Sequence, residues 1–426
     1  MKISKLFGYQ VLDSRGKPTV AASITLEDGT SHTARVPSGA STGKHEALEL
    51  RDGESDLADR YYGGNSVYKA VENINAKIAP HIIGETIDLI TVDQKLTQLD
   101  PSLNHCELGA NATLAVSLAG ALASAHARKL SLARYFQPNG KLVIPMPMVN
   151  ILSGGAHANR SLDFQDVLIV PNGAKSFSEA ISWVVAIREM AAKLGSESGK
   201  VTHLVADEGG LGVHFPSIEQ ACSFVISAIE KVGLSVGSQV SLALDVASTQ
   251  FFIGDKYQLS NADKPFTSAE FVQFILSLVS SFPIISIEDP FAEDDWKAWQ
   301  SFTSVAPPEL QILGDDLLTT NSIRLDRAIR EIAANAILIK ANQNGLISST
   351  WEVLKQAQVA KFNTVVSARS GETEDSWLSD LATGWGAGQI KVGSTHGAER
   401  NAKWNRLLEL EAIEETEFAN PFKQTK

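Results

Sequence analysis

Apolar positions along the chain repeat with three different rhythms, and each rhythm marks off a region. Up to about residue 60 they alternate with polar ones. Thr19-Val20-Ala21-Ala22-Ser23-Ile24-Thr25-Leu26 reads as a strand, and Glu27-Asp28-Gly29-Thr30 after it as a hairpin turn. From about Tyr68 to Phe136 the repeat is helical and alanine-rich, with breaks expected at Pro80 and Pro101. Beyond that, short unbroken apolar runs alternate with helical stretches to about Leu410. The first two regions predict a small α+β domain, residues 1–137. Pro138-Asn139-Gly140 opens a second domain, residues 138–426.

An apolar run without alternation is a strand covered on both faces, as in a parallel sheet flanked by helices. Six such runs end in a charged residue: Val240–Leu244 in Asp245, Ile284–Ile287 in Glu288, Leu310–Gly314 in Asp315 and Ala336–Ile339 in Lys340. Thr364–Ser367 leads to Arg369, and Gln389-Ile390 to Lys391. Each end lies about one strand–helix unit from the next. Six units after an irregular start predict an α/β fold, a (β/α)8-type barrel with the six charges at one mouth. Val201–Ala206 reads as a further strand leading to Asp207-Glu208-Gly209-Gly210. After Glu288, Asp289 is expected to cap the next helix, with Pro290 in its first position.

Composition narrows the class. Of 426 residues, 44% are hydrophobic and 20% charged, and the net charge is −12 with a pI near 5.3. That balance excludes nucleic acid or an anionic membrane as the main partner. Two cysteines, Cys106 and Cys222, are too few for a disulfide framework. Leu108–Ala125 is long and uncharged, but its Ala, Gly, Ser and Thr content predicts a closely packed soluble helix. No secretory signal is read in Met1–Gln10, so the expected compartment is the cytoplasm.

Three carboxylates converging from successive strands, Asp245, Glu288 and Asp315, suit a hard divalent cation such as Mg2+. Each taken alone could equally cap a helix. Lysines at strand ends in the same mouth are costly to bury unless paired. Lys340 and Lys391 therefore read either as partners of those carboxylates or as contacts to an anionic substrate. Cationic neighbours would lower a lysine toward the range of a general base. Metal ions with a lysine base are the arrangement that stabilises an enolate dianion. Ser38-Gly39-Ala40-Ser41-Thr42-Gly43-Lys44 is not a P-loop: three residues separate its glycines, and His45 follows the lysine. It reads as a surface loop or as one able to close over a phosphate or metal. Ser153-Gly154-Gly155-Ala156-His157 is a second glycine loop, with one histidine.

Together these stretches resemble the enolase family along nearly the whole chain. The resemblance rests on Asp13–Gly16 with Pro18–Val20, Val36–Gly43, Asp207–Gly210, Ser286–Trp296, Lys340–Gln343, Arg369–Asp375 and Gly388–Lys391. It implies an N-terminal α+β domain followed by an enolase-type modified (β/α)8 barrel, assembled as dimers or octamers. It also implies reversible dehydration of 2-phosphoglycerate to phosphoenolpyruvate with two Mg2+ ions per site, so the partner is a small phosphorylated carboxylate. By matching position, Lys340 is the expected base at C2 and Glu208 the acid for the 3-hydroxyl. Asp245, Glu288 and Asp315 are the expected ligands of one Mg2+, and Ser41 holds the second. Arg369 and Ser370 match the phosphate contacts, Lys391 the partner of the substrate carboxylate, and His157 and Gln165 substrate-side positions.

The chain departs from the family pattern at three places. Asp166 stands where the family has Glu, and Ala368 where it has His. Ser153-Gly154 replaces Asn-Gly, with Ala158-Asn159-Arg160 after His157. In the family the missing Glu and His lie near the leaving group. A lost charge-assisted hydrogen bond is worth about 1.5–3 kcal/mol, roughly 10- to 150-fold in rate. Three readings follow: an enolase, a paralogue that forms an enolate from a related phospho- or phosphono-carboxylate, or a scaffold kept for binding partners.

Overall fold

The computed structural model describes residues 1–39, 43–53 and 60–423. Strands β1 (Ile3–Leu12), β2 (Pro18–Leu26) and β3 (Ser31–Arg35) form an antiparallel sheet in that order. The β2–β3 turn falls where the sequence placed it, with Gly29 at φ +85°. Helix α1 (Tyr68–Glu72) runs through a π-helical stretch, Asn73–Ile78, into α2 (Ala79–Ile82). Pro80 therefore does not break the helix. The wider turn before it gives its ring room and asks no hydrogen bond of its missing N–H. Helix α3 (Leu89–Leu99), capped by Asp88, ends before Pro101 as expected. Helix α4 (Ala110–Ala127) is buried on almost every face and packs on β2 and β3; its small side chains permit that approach. Among the described residues no helix is long and apolar enough to cross a membrane. Helix α5 (Leu132–Phe136) closes this part of the chain.

Strand β4 (Leu142–Ile144) leads into the barrel. In chain order come β5 (Met146–Ser153), β6 (Asp166–Val170), α6 (Phe177–Glu197), α7 (Ile218–Lys231) and β7 (Ser241–Asp245). A short hairpin, β8 (Phe252–Ile253) with β9 (Lys256–Tyr257), precedes α8 (Ser268–Ser281). Then follow β10 (Ile284–Glu288), α9 (Trp296–Val305), β11 (Gln311–Gly314), α10 (Ser322–Glu331) and β12 (Ala336–Ile339). The rest is α11 (Ala341–Asn344), α12 (Ile347–Val359), β13 (Asn363–Ser367), α13 (Trp377–Gly384), β14 (Gln389–Lys391), α14 (Ala398–Ile413) and β15 (Thr416–Phe418), the last paired with β4. The closed barrel runs β10-β11-β12-β13-β14-β5-β6-β7. All six predicted strand ends are strands of this barrel. Met146, Met148, Leu168, Val170, Ala243, Leu313, Ala336, Leu338 and Val365 form one buried cluster, and side chains of the opposite parity join the larger core under the helices.

The irregular start is a hairpin. β6 runs antiparallel to both β5 and β7, so its first residue, Asp166, lies at the mouth beside the end of β5. Helix α6 then returns the chain to the mouth and α7 takes it down again. The segment between them cannot join the barrel wall, which is already closed. Val201–Ala206 is accordingly not a strand; it makes one isolated bridge, Val205 with Leu211. Asp289 also departs from expectation. The helix after β10 starts at Trp296 and is capped by Asp295. Asp289, at φ +42°, instead accepts the backbone N–H groups of Asp315 and Asp316 at 2.9 and 2.7 Å. It ties the end of β10 to the end of β11.

Candidate active site

Parallel strands deliver their last side chains to one edge, and here that edge is a cavity. Asp245, Asp315, Lys340, Arg369, Ser370 and Lys391 line it from the barrel, His157 and Gln165 from the β5–β6 loop, and Glu208 from the α6–α7 segment. The fold thus gathers nearly every expected site residue. Two sit behind the wall: Glu288, which reaches the site through Lys391, and Asp166. Ser41 lies outside the described residues.

Lysines and carboxylates pair at the centre. Lys391 Nζ lies between Asp245 Oδ2 and Glu288 Oε2, at 2.6 and 2.7 Å. Lys340 Nζ donates to Asp315, whose other oxygen accepts from Gln343 at 2.8 Å. Burial would lower both lysines, but their carboxylates outweigh it: Asp315 raises Lys340, and Asp245 with Glu288 raises Lys391 far more. The expectation of a lysine lowered by cationic neighbours is therefore not met, since Asp315 overrides Arg369 and Lys391.

The donor set fits a divalent cation. Glu288 is pushed well above the carboxylate range by burial and then by the charge of Asp245. Asp315 is instead held below its ordinary value, because the Lys340 ammonium outweighs burial. Oxygen donors of this hardness suit Mg2+. Among the described residues, two groups have ligand atoms all within 4.8 Å of one another, Asp289–Asp315–Asp316 and His157–Asp166–Glu208. Asp245 and Glu288 belong to neither, being bridged by Lys391.

At one end of the cavity Arg369 donates to Glu46 at 2.8 Å and to Asn342 at 3.1 Å, and Arg15 donates to Ser370 Oγ at 3.3 Å. Glu46 holds the Arg369 guanidinium above its ordinary range despite burial. The sequence offered no separate signal for Glu46. It follows a loop with no periodicity, and only the fold brings it to a residue 323 positions away.

At the other end His157 Nδ1 is 3.8 Å from Asp166 Oδ2 and 3.9 Å from Glu208 Oε1. Burial opposes charge on His157, but Glu208 and Asp166 raise it above its ordinary value. Burial likewise raises Glu208, yet His157, Arg400, Lys391 and Lys340 together bring it below the ordinary carboxylate range. The proton of this pair therefore rests on the imidazole. Asp166 Oδ1 accepts from Ser153 Oγ at 2.8 Å and Asn150 Nδ2 at 3.1 Å, which holds the short side chain against the wall. Gln250 donates to Gln165 at 2.6 Å and accepts from Ala156 N–H at 3.2 Å, linking the histidine loop to the floor. Ala368 lines the cavity with a methyl group.

The comparisons agree with this geometry over almost the whole chain. Residues 3–136 match the family model described as Enolase, N-terminal domain, and residues 141–422 that of Enolase, C-terminal TIM barrel domain. With both parts matched in order, and a barrel of the modified kind observed, the chain belongs to the enolase family.

Proposed function

We propose that the protein is a Mg2+-dependent lyase that interconverts 2-phosphoglycerate and phosphoenolpyruvate. The observation that carries this reading is one cavity holding a lysine on a strand end, a histidine–glutamate pair on separate loops, and an arginine with a serine. Lys340 takes the C2 proton and becomes a base only once Asp315 is engaged elsewhere. Lys391 faces the substrate carboxylate, and Arg369 with Ser370 holds the phosphate. Glu208 receives the proton stored on His157 and passes it to the departing 3-hydroxyl. Asp245, Glu288 and Asp315 would hold one Mg2+ and Ser41 would contribute to a second. Bound there, the cations supply positive charge against the enolate dianion. Assembly as a dimer or octamer belongs to the same proposal.

A second reading is supported by the leaving-group end. Asp166 is turned to Ser153 and Asn150, and the methyl side chain of Ala368 offers no hydrogen bond. An enolate-forming paralogue acting on a related phospho- or phosphono-carboxylate would keep everything else. Purified protein with 2-phosphoglycerate and Mg2+, followed by phosphoenolpyruvate absorbance, separates the two. Turnover at ordinary enolase levels rules out the paralogue. Deuterium exchange at C2 without dehydration rules out the first reading and leaves proton abstraction intact.

A further inference from the structure

Helix α14 turns two cations into the protein interior one helical turn apart. Arg400 and Lys403 are both fully buried. A buried guanidinium must find acceptors for its donors or be strongly destabilising. Arg400 finds them in backbone carbonyls of three separate segments. It donates to Arg369 O at 2.7 Å and Ser370 O at 2.5 Å on the loop after β13, to Val392 O at 2.9 Å after β14, and to Asp207 O at 3.4 Å. Its Nε faces Glu399 at 3.4 Å. Lys403 grips the first of these loops farther along, at Thr373 O and the Glu372 carboxylate, which in turn accepts the Arg369 N–H.

The Glu208 segment is fixed from the same side. Ser394 N–H donates to Glu208 O at 2.8 Å. Gly393, at φ +114°, lets that carbonyl and the Arg400 side chain meet: a Cβ there would lie 2.7 Å from Glu208 O and 3.1 Å from Arg400 Cδ. None of these contacts reaches Lys340, which is set by β12 and by Thr320.

We infer that Arg400 is a positioning residue that couples the Arg369–Ser370 loop to the Glu208 segment, so that the phosphate end and the leaving-group end of the site are held in one register by a single side chain. The inference rests on the proposed dehydration for the roles of the two ends. Its structural half, that one guanidinium orders both segments, does not.

Arg400→Lys keeps the charge but cannot serve three segments; Arg400→Gln takes its place if the lysine variant does not fold. With 2-phosphoglycerate and Mg2+, KM rises, and dehydration at saturation falls about 100-fold, the scale of a 1 Å misplacement. C2 deuterium exchange at saturation stays near the wild-type rate, because Lys340 is untouched. A role confined to general stability would lower exchange and dehydration in the same proportion, and that result overturns the coupling. Backbone amide exchange is read alongside: residues 207–210 and 369–373 speed up together in the variant. Acceleration of one segment alone also overturns it. Should the wild-type chain form no phosphoenolpyruvate, the functional reading falls, and the amide-exchange arm still decides the coupling.

Discussion

Glu46 occupies the guanidinium that the proposed function assigns to phosphate, so Glu46→Gln separates two roles for it. Both side chains of the Arg369–Glu46 pair are about 5% exposed, and their closest approach is 2.8 Å. Removing one charge from such a pair costs about 3–5 kcal/mol, because the remaining charge stays buried. Glutamine keeps an oxygen acceptor, which places the cost near the lower end, about 3 kcal/mol. Phosphate arriving at wild-type protein must displace Glu46; in the variant it meets a guanidinium that has lost the Glu46 counter-charge. The same about 3 kcal/mol then returns as binding, up to roughly 100-fold tighter for phosphate. Thermal unfolding of the free variant drops, and inorganic phosphate restores more of it than in wild type. Titration calorimetry with inorganic phosphate measures the affinity directly. Weaker phosphate binding by Glu46→Gln refutes this reasoning and makes Glu46 a support that aims Arg369 at the phosphate.

Four further outcomes are expected. Ala368→His together with Asp166→Glu raises dehydration of 2-phosphoglycerate by about 10-fold or more per restored hydrogen bond; no gain, with C2 exchange and folding intact, counts against the leaving-group account. Mg2+ at 100 times its dissociation constant raises stability by about 2.7 kcal/mol, and Glu288→Gln removes most of that gain in a thermal melt. Ile332 is exposed and ends α10 at φ +51°, so Ile332→Gly raises the urea midpoint by about 1 kcal/mol of stability through relief of left-handed strain. Asp93 is buried, accepts Ser348 N–H at 3.0 Å, and is raised by burial from 3.8 to about 6. Between those values the folded chain holds the proton and the unfolded chain does not, so stability falls as pH rises through that window. Above it the carboxylate costs about 3 kcal/mol; Asp93→Asn is therefore more stable than wild type at pH 8, and denaturant melts of the two converge below pH 4.

Much of the barrel was legible because a strand covered on both faces must be continuously apolar, and its first charged residue must then fall at an edge. Asp245, Glu288, Asp315, Lys340 and Lys391 were found in that way. The hairpin turn at Gly29 and the stop before Pro101 are equally local: one needs a positive φ, the other a missing N–H. Three expectations failed, one through the local backbone and two because neighbours distant in sequence overrode a local preference. Pro80 is absorbed by a π-helical stretch. Val201–Ala206 has strand composition, but no barrel edge is left open to pair with it. Asp289 has the look of a helix cap, yet two amides of the adjacent strand end claim its oxygens.

The sequence by itself determined which residue types stand at the strand ends, since that follows from order along the chain. The tertiary structure decided what those residues meet. It set Lys391 between Asp245 and Glu288, turned Asp166 toward Ser153 and Asn150, and brought Glu46 onto Arg369 and Arg400 under two loops at once. Charge and hydrogen bonding act over a few ångströms of space, whatever the separation along the chain. Pairings between residues far apart in sequence therefore exist only once the barrel has closed.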